Sequence, residues 1–393
     1  MRLCIYATNM QADIEAFALY AAAQPGVDAL LVVDSEAAIR SQALCDFSPL
    51  PARLAILERG DPALKKKLRA FGADVIAIDN YIPDFDVAPR ALVLWHGYGW
   101  RIDDLAQMRK QLKRRFGDPT RSNPNLLWAS FGPIDHEYRT THSRLHPDNV
   151  AALGSPYSDL LLPSSAFQRA FTRSAAARHY AVDVAGRKTA LFALTWHHGS
   201  AFGRFGDDEP LFDRLFDALE RRSCNAIMRM HDRHRFAKEL LAALERVAKR
   251  HPNVQLKFKN ECPDAVVDLS VSDVMVSNYS SILNHFYFLG RPTIHLDPAG
   301  EGGDYTYCVW KRGKVRVKRG ADAGEVWKIP PNEIGGLGAA SFDALVAGLE
   351  RALDEPDCCR ELASSFVARH YTSPDGATCA RALEAMRRRW TLS

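Results

Sequence analysis

The sequence lacks long hydrophobic runs. None of its apolar stretches approaches the roughly 18 uninterrupted residues of a membrane-spanning helix, and Met1 leads into the strand-like segment Arg2–Ala7 rather than into a signal peptide. We therefore expect a cytoplasmic protein. With 393 residues, of which 47% are hydrophobic, the chain can form two ordinary domains with proper cores, so a disordered or fibrous protein is excluded.

Paired cysteines and a strong excess of charge are also missing. The eight cysteines are scattered, with no C-x-x-C pair and no Cys/His spacing of a zinc site, so we expect reduced thiols without chemistry. Fifty-one Lys and Arg against 47 Asp and Glu give a formal charge of only +4. A dedicated nucleic-acid binder is more basic, and we expect no nucleic-acid partner.

Several common catalytic motifs are absent. The chain has no Walker A loop, no G-x-G-x-x-G fingerprint, no G-x-S-x-G elbow and no H-E-x-x-H. These absences argue against a P-loop kinase, a dinucleotide dehydrogenase, a common α/β hydrolase and a zinc protease. Asp84-Phe-Asp86 has the D-x-D spacing of some metal sites, but it precedes a predicted strand instead of following one, so we predict no metal site there.

Short apolar runs alternate with helical patterns along the chain. Continuous apolar runs predict strands that are buried on both faces. In the first half these are Arg2–Ala7, Ala29–Val33, Leu54–Leu57, Asp74–Asp79, Ala91–Trp95 and Leu126–Ala129. In the second half they are Thr189–Trp196, Asn225–Met230, Val254–Phe258, Asp273–Val276 and Thr293–Leu296. The stretch Lys311–Gly320 is predicted to be a β-hairpin or a loop.

This repeated β-α-β pattern predicts an α/β fold of two doubly wound, Rossmann-like parallel-sheet domains that face a cleft. We place the first domain at residues 1–170 and the second at residues 171–355. Residues 356–393 are predicted to be C-terminal helices that could cross back to the N-terminal domain. Ligands of such folds bind at the carboxyl ends of the strands, so the residues that follow the strands are the candidates for chemistry.

The first candidate segment is Leu94-Trp-His-Gly-Tyr-Gly-Trp-Arg101. His96 at the carboxyl end of a sheet could act as a general base or donate to a phosphate, and Gly97 would permit close backbone approach. Arg101 could pair with an anionic group. The alternative interpretation is a structural histidine on a glycine-containing turn.

The second candidate segment is Asp273–Asn284, where a strand gives way to a helix. Asn278, Ser280 and Ser281 lie at the start of that helix, and amides and hydroxyls at a helix amino terminus bind anions. A diphosphate would fit here. The alternative is that Ser280 is simply an N-cap.

The third candidate segment is Ile227–Arg235, in which His231, Arg233 and Arg235 follow an apolar strand. These side chains suit a phosphate-bearing ligand, but solvated charges at a helix start would explain the arginines equally well. Two weaker segments are the turn at 154–159, which includes Asp159, and Thr195-Trp-His-His-Gly199, whose Thr195 could reach the cleft.

Taken in order, these segments resemble the motifs of the CDP-glycerol glycerophosphotransferase family of teichoic-acid and capsule biosynthesis. The matched positions are His96, Gly97 and Arg101; Gly154, Pro156 and Asp159; Thr195 and Trp196; His231; Tyr279, Ser280 and Ser281; and Asp375, Gly376 and Arg381. The chain departs from the family pattern at Leu194, Asp232 and Asn278. The resemblance implies the GT-B fold, with an acceptor-side N-terminal domain and a nucleotide-donor C-terminal domain.

The resemblance also implies an activity. A glycerol phosphate or related alditol phosphate would pass from a CDP-linked donor, CDP-glycerol, to a hydroxyl of a glycan, polymer or lipid-linked acceptor, with release of CMP. His96 and His231 would be the catalytic residues. Further residues are assigned by the same resemblance: Arg101, Arg233, Asn278, Ser280, Ser281 and Thr195 to the donor phosphates, and Gly97, Asp159, Asp375 and Arg381 to the acceptor side. No metal and no cofactor beyond the donor is expected.

Three cationic patches could attract an anionic acceptor or the inner face of the cell membrane. They are Arg109–Arg115, Lys311–Arg319 and Arg387–Trp390. In the first, Leu105, Met108, Leu112 and Phe116 lie on one helical face, which is typical of an interfacial membrane helix and equally of a surface helix packed on a core. We take the second interpretation, and peripheral membrane contact stays an alternative.

Two other functions stay open. One is a GT-B glycosyltransferase that uses a UDP- or CMP-sugar donor, because the same fold and phosphate site would serve both chemistries. The other is a non-enzymatic module that binds phosphorylated glycans through the basic patches. The placement of His96 and His231 after strands in opposite halves argues against the module, since a simple binding surface would not need them.

Overall fold

The computed structural model describes residues 1–7, 12–40, 54–79, 81–94, 98–100, 105–162, 172–194, 202, 205, 209–259, 261–262, 265–296, 304–311, 314–321 and 327–392. Within 304–321, side chains are described only for 308–309 and 314–318. The chain divides into two compact units. Unit 1 comprises Met1–Tyr98, Asp103–Ala170 and Ala368–Ser393, and unit 2 comprises Gly99–Ile102 and Phe171–Val367.

In the described part of unit 1, seven parallel strands form one sheet. They are β1 Arg2–Tyr6, β2 Asp28–Val33, β3 Ala55–Glu58, β4 Val75–Ile78, β5 Ala91–Val93, β6 Leu126–Ser130 and β7 Val150–Ala152. The order β3-β2-β1-β4-β5-β6-β7 reverses between β1 and β4, which is doubly wound topology. Six strands fall on the predicted apolar runs. Strand β7 was not predicted; it has three residues, two of them half-buried.

The described helices within residues 1–162 are α1 Ala12–Ala23, α2 Glu36–Arg40, α3 Leu64–Phe71, α4 Ala106–Phe116, α5 Pro133–Thr141 and α6 Pro156–Leu161. The basic helix α4 resolves one of the open alternatives. Its apolar residues Met108, Leu112 and Phe116 pack with Leu105 in the core of unit 1. Because the chain's own side chains cover this face, it is not available to a bilayer.

In the described part of unit 2, six parallel strands form a second sheet in the order β10-β9-β8-β11-β12-β15, with the reversal between β8 and β11. The six strands are β8 Lys188–Phe192, β9 Cys224–Met230, β10 Val254–Phe258, β11 Val274–Ser277, β12 Thr293–Leu296 and β15 Leu337–Ala339. Two more strands, β13 Asp304–Lys311 and β14 Lys314–Ala321, lie outside this sheet. Strands β13 and β14 form a separate antiparallel ribbon. Of the two structures predicted for Lys311–Gly320, a β-hairpin or a loop, the hairpin is therefore the one observed. The short strand β15 was not predicted.

The remaining helices are α7 Arg173–Ala176, α8 Glu209–Arg221, α9 Lys238–Arg250, α10 Val266–Val271, α11 Ser281–Phe286, α12 Phe342–Asp354, α13 Arg360–His370 and α14 Thr378–Trp390. Helices α8 and α9 bury Leu215, Phe216, Leu244 and Val247 in the core of unit 2. Helix α14 belongs to unit 1, where it packs against α1 and α6. None of the helices in the described ranges is both long and apolar enough to span a bilayer.

The described cysteines are free thiols. Burial raises the pKa of Cys4 and of Cys224 to about 12, so both are protonated and unreactive near neutral pH. They contribute to the cores of the two units as small apolar side chains.

A buried histidine makes unit 2 sensitive to acid. Burial of His285 on α11 lowers its pKa to about 3, whereas an unfolded chain binds the proton near pH 6.5. Below pH 6.5 the unfolded state therefore gains a proton that the folded state does not bind, and stability falls by about 1.4 kcal/mol per pH unit. We expect His285→Gln to remove roughly 2 kcal/mol of the stability loss between pH 7 and pH 5, measured by urea unfolding. Identical pH dependence of the two proteins would contradict this assignment.

Candidate functional site

The carboxyl ends of β8, β9 and β11 lie together at one edge of the unit 2 sheet. In the strand register Phe192 of β8 pairs with Met228 of β9 on one side and with Val276 of β11 on the other, so the three strands end at a common level. Adjacent strands are about 4.8 Å apart, which puts the ends of β9 and β11 roughly 10 Å from each other. Because strand order reverses here, this edge is where an α/β sheet ordinarily binds its ligand.

His231 directly follows β9 at this edge. Its Nδ1 lies 2.8 Å from the backbone nitrogen of Asp232 and 3.2 Å from the Oδ2 of the same residue. We assign Nδ1 as the acceptor, since the shorter contact is to a fixed N–H, and the neutral ring then carries its proton on Nε2. Burial lowers the pKa of His231, and Lys259 and Arg235 act in the same direction; together they outweigh the Asp232 carboxylate, which raises it. The imidazole is therefore neutral at neutral pH and can donate one hydrogen bond from Nε2.

Charged side chains surround this histidine. Burial alone would raise the pKa of Asp232, but nearby cations, among them Lys259 and Arg235, help to hold it well below its usual range. Arg235 donates to the Asp232 carboxylate at 3.3 Å. The local charge therefore comprises one carboxylate and at least two cations, which favours an anionic ligand.

Arg233, a predicted phosphate ligand, is bound within the protein. Its Nε donates to Glu261 at 2.8 Å, its Nη1 donates to Glu245 at 2.7 Å, and its guanidinium lies 3.9 Å from the centroid of the Phe258 ring. These contacts fasten the turn after His231 to α9 and to the end of β10. Arg233 thus holds the position of the turn through two of its five N–H donors.

The serine segment follows β11 on the far side of β8. The hydroxyl of Ser277 donates to the Ala193 carbonyl, and the Ser280 amide donates to the Asn278 carbonyl at 2.8 Å. Ser280 occupies the N-cap position of α11, yet its side chain makes no capping hydrogen bond. Ser280 and Ser281 are half-buried, and among the described residues their hydroxyls have no hydrogen-bond partner. The segment therefore presents two hydroxyls and the first amides of a helix at the sheet edge.

An aromatic cluster lies beside the serine segment. Tyr279 packs edge-on against His295, with ring centroids 4.7 Å apart, and against Trp327 at 4.4 Å. Trp100 contacts both Tyr279 and His295, at 5.7 Å and 5.2 Å. His295 lies near the end of β12 and was missed by the sequence analysis, because its only signal was a histidine inside an apolar run.

A buried ionic network lies at the ends of β9 and β10, just before His231 in the chain. Arg229 on β9 and Lys257 on β10 are register partners, and both donate to the buried carboxylate of Asp268 on α10, Arg229 at 2.6 Å. The hydroxyl of Tyr180 donates to the same carboxylate at 2.6 Å. Burial opposes ionisation of Asp268, but Lys257 and Arg229 hold its pKa below the ordinary value. This network fixes the ends of β9 and β10 against α10.

In unit 1, the structure joins two motifs that lie more than 200 residues apart in the sequence. The Asp159 carboxylate accepts from the amides of Thr378 and Cys379, at 2.8 Å and 2.7 Å, at the start of α14. Arg381 on α14 binds Asp375 through two contacts of 2.7 and 2.8 Å and donates to the Leu153 carbonyl. These three predicted acceptor-side residues thus share one hydrogen-bonded cluster that attaches α14 to the end of β7.

Gly154 completes this cluster. Its φ of +103° lies in the region that favours glycine. A Cβ at this position would lie 2.8 Å from the Thr372 carbonyl oxygen and 2.8 Å from the Thr378 hydroxyl. The motif glycine is therefore required by close packing against the C-terminal segment.

Four predicted site residues, His96, Gly97, Arg101 and Thr195, lie outside the described residues. The D-x-D segment is described, and there Asp86 forms an ion pair with Arg115 at 3.0 Å. Across the described residues, no group of three or more His, Cys, Asp or Glu side chains could hold a metal ion.

No family model and no curated protein sequence matches the chain. Solved structures do match it at 11–12% identity. The wall teichoic acid polymerase TagF gives a TM-score of 0.66 at 12% identity, over 98% of this chain and 88% of that chain. A putative UDP-N-acetylglucosamine 2-epimerase from Listeria monocytogenes gives 0.60 at 11% identity, over 100% and 97%.

The UDP-GlcNAc 2-epimerase from Neisseria meningitidis, bound to UDP-GlcNAc, gives a TM-score of 0.57 at 12% identity, over 98% of this chain and 99% of that chain. At such identities the likeness shows the fold alone. It confirms the predicted fold class, a GT-B-like chain with two Rossmann-like parallel-sheet domains.

The cluster around Asp159 generates a test of its role. Asp159→Asn keeps the size of the side chain but replaces the carboxylate that accepts hydrogen bonds from two helix amides. We therefore expect a loss of about 2 kcal/mol in the free energy of unfolding. Nucleotide binding should not change. Asp118→Asn is the matched control, because half-buried Asp118 accepts one backbone amide, that of Thr120 at 3.0 Å, and forms a surface ion pair with Lys113, so its substitution should cost less. Unchanged stability of Asp159→Asn would contradict the attachment role.

Proposed function

We propose that the protein is a transferase that moves a glycerol phosphate or related alditol phosphate from a CDP-linked donor to an acceptor hydroxyl, with release of CMP. The acceptor would be a glycan, a polyol-phosphate polymer or a lipid-linked sugar. The observation that carries the proposal is the edge of the unit 2 sheet, where neutral His231 and the uncapped serine segment flank β8. Both present hydrogen-bond donors where a diphosphate would bind.

The reaction would be a phosphoryl transfer. The acceptor oxygen forms a bond to the distal phosphorus of the donor, the bond from that phosphorus to the CMP oxygen breaks, and the acceptor proton passes to His96. Such a reaction depends mainly on positioning and on stabilising the negative charge that is spread over the phosphate oxygens. His231 would donate from Nε2 to one phosphate oxygen. Ser280, Ser281 and the first amides of α11 would donate to others. Asn278 and Thr195 stay further candidate ligands of the donor phosphates.

The contacts of Arg233 change its proposed role. Since Glu245 and Glu261 already engage its guanidinium, we assign Arg233 to positioning the His231 turn. Cationic stabilisation of the donor would come from Arg235 and Lys259, whose charges already act on His231, and from Arg101.

The comparisons support a nucleotide-linked donor but leave two candidates. Solved forms of TagF include one soaked with CDPG, which favours the cytidine-linked donor. The Neisseria meningitidis epimerase of the same fold is bound to UDP-GlcNAc, which favours a second candidate, transfer of a sugar from a UDP-linked donor.

Nucleotide titration tests the donor site. We expect CDP and CDP-glycerol to bind the wild-type protein more tightly than UDP or UDP-GlcNAc in isothermal titration. His231→Ala and Ser280→Ala each remove a hydrogen bond to a charged phosphate, worth about 1.5–3 kcal/mol, so each should weaken binding roughly 10- to 100-fold.

Matched controls lie at the opposite edge of the same sheet. Ser272 precedes β11 and donates to the Asp268 carbonyl, and His251 precedes β10 and contacts Asp213 at 2.9 Å. Ser272→Ala and His251→Ala should lower stability without changing nucleotide affinity. Preferential binding of uridine nucleotides would replace the proposed reaction by sugar transfer, and absence of any nucleotide binding would contradict both.

A further inference from the structure

The β13–β14 ribbon of unit 2 carries a concentration of positive charge. Residues 304–321 contain six Lys and Arg and a single acidic residue, Asp304. On β14, Lys314, Arg316 and Lys318 are exposed, and none of them forms an ion pair with another described residue. The N–H donors of these three side chains are therefore available to a ligand.

These three cations occupy alternate positions of β14. Successive side chains of a strand point to opposite faces, so Lys314, Arg316 and Lys318 lie on one face of β14, and Val315 and Val317 lie on the other. Alternate residues of a strand are roughly 7 Å apart. In the register with β13, the partners of the three cations are Lys311, Val309 and Tyr307, so no cross-strand carboxylate neutralises the row.

The ribbon lies beside the candidate site. Strand β13 packs against the short 3₁₀ turn Arg233–Arg235, which begins two residues after His231. Both the ribbon and this turn belong to unit 2. A ligand bound along the ribbon would therefore lie near the sheet edge that carries His231.

We propose that the cationic face of β14 binds an extended polyol-phosphate chain, in which phosphate groups repeat along a single flexible strand. A row of evenly spaced cations is complementary to a row of phosphates, and one cation would contact one phosphate. Identification of this chain as the acceptor rests on the proposed function. Its binding to the ribbon rests only on the geometry and charge of β14.

Two other occupants fit the ribbon less well. A flat bilayer would contact one face of the strand, so it could not engage the cations and the exposed valines together, as an interfacial element does. Binding of single-stranded nucleic acid relies on several aromatic side chains that stack on successive bases, whereas the three cations and their three register partners include one aromatic residue, Tyr307 opposite Lys318.

The test is binding of a synthetic oligo(glycerol phosphate) to the full-length protein across a range of salt concentrations. The variant Lys314→Gln/Arg316→Gln/Lys318→Gln should bind at least about tenfold more weakly, and the slope of log affinity against log salt should fall by about 2, because three phosphate contacts are lost. The charge-retaining variant Lys314→Arg/Arg316→Lys/Lys318→Arg should keep wild-type affinity and slope. Lys110→Gln/Lys113→Gln/Arg114→Gln removes three exposed cations from α4 and should change neither.

Several results would overturn the inference. These are an unchanged affinity or slope in the β14 glutamine variant, an equal loss in the α4 variant, tighter binding to oligo-dT of equal charge, or binding to phosphatidylglycerol vesicles without binding to the oligomer. Nucleotide titration of the same proteins separates this inference from the proposed function. Ribbon-dependent oligomer binding without nucleotide binding would contradict the proposed function alone, and nucleotide binding without ribbon dependence would contradict the ribbon alone.

Discussion

Burial of both faces of two parallel sheets is the constraint that orders most of this molecule. A parallel strand pair needs a long crossover connection, and helices then cover the two faces of each sheet. Where strand order reverses, between β1 and β4 and between β8 and β11, the connecting helices leave to opposite faces. Polar groups can lie at that edge without disrupting the core, and His231 and Ser280 occupy it in unit 2.

Buried charge stabilises the edge on which the candidate site depends. Asp268 holds Arg229 and Lys257, and with them the last part of β9 and of β10. Arg233 in turn ties the following turn to Glu245 and Glu261. Breaking a buried ionic contact leaves an uncompensated charge, so these interactions oppose displacement of His231. Much of the local charge therefore positions the imidazole, and a smaller part is free to meet a phosphate.

In unit 1 the same kind of interaction is used to attach the end of the chain. Asp159 stabilises the amino terminus of α14 through two amides, and Arg381 joins that helix to Asp375 and to the backbone after β7. Gly154 leaves the room that the contact needs. Motif residues that resemble a family signature thus act here as a structural attachment. A polar motif following a strand is not by itself evidence of contact with substrate.

The sequence alone determined the fold class, because continuous apolar runs such as Arg2–Ala7 and Asn225–Met230 become strands wherever both faces of a sheet are buried. It also placed His231 and Ser280 after strands, since strand ends follow from where the apolar runs stop. It did not identify β7 and β15, which are three residues long and only partly buried, whereas the equally short β5 is fully buried within a continuous apolar run.

Only the tertiary structure decided what the polar side chains do. Arg233 looks like a phosphate ligand in the sequence, but Glu245 and Glu261 bind it in the fold. Asp159 looks like a site residue, but it accepts hydrogen bonds from two amides that lie over 200 residues later in the sequence. Hydrogen bonds and charge compensation depend on which residues the fold brings within about 3 Å, and that proximity is not encoded in local sequence.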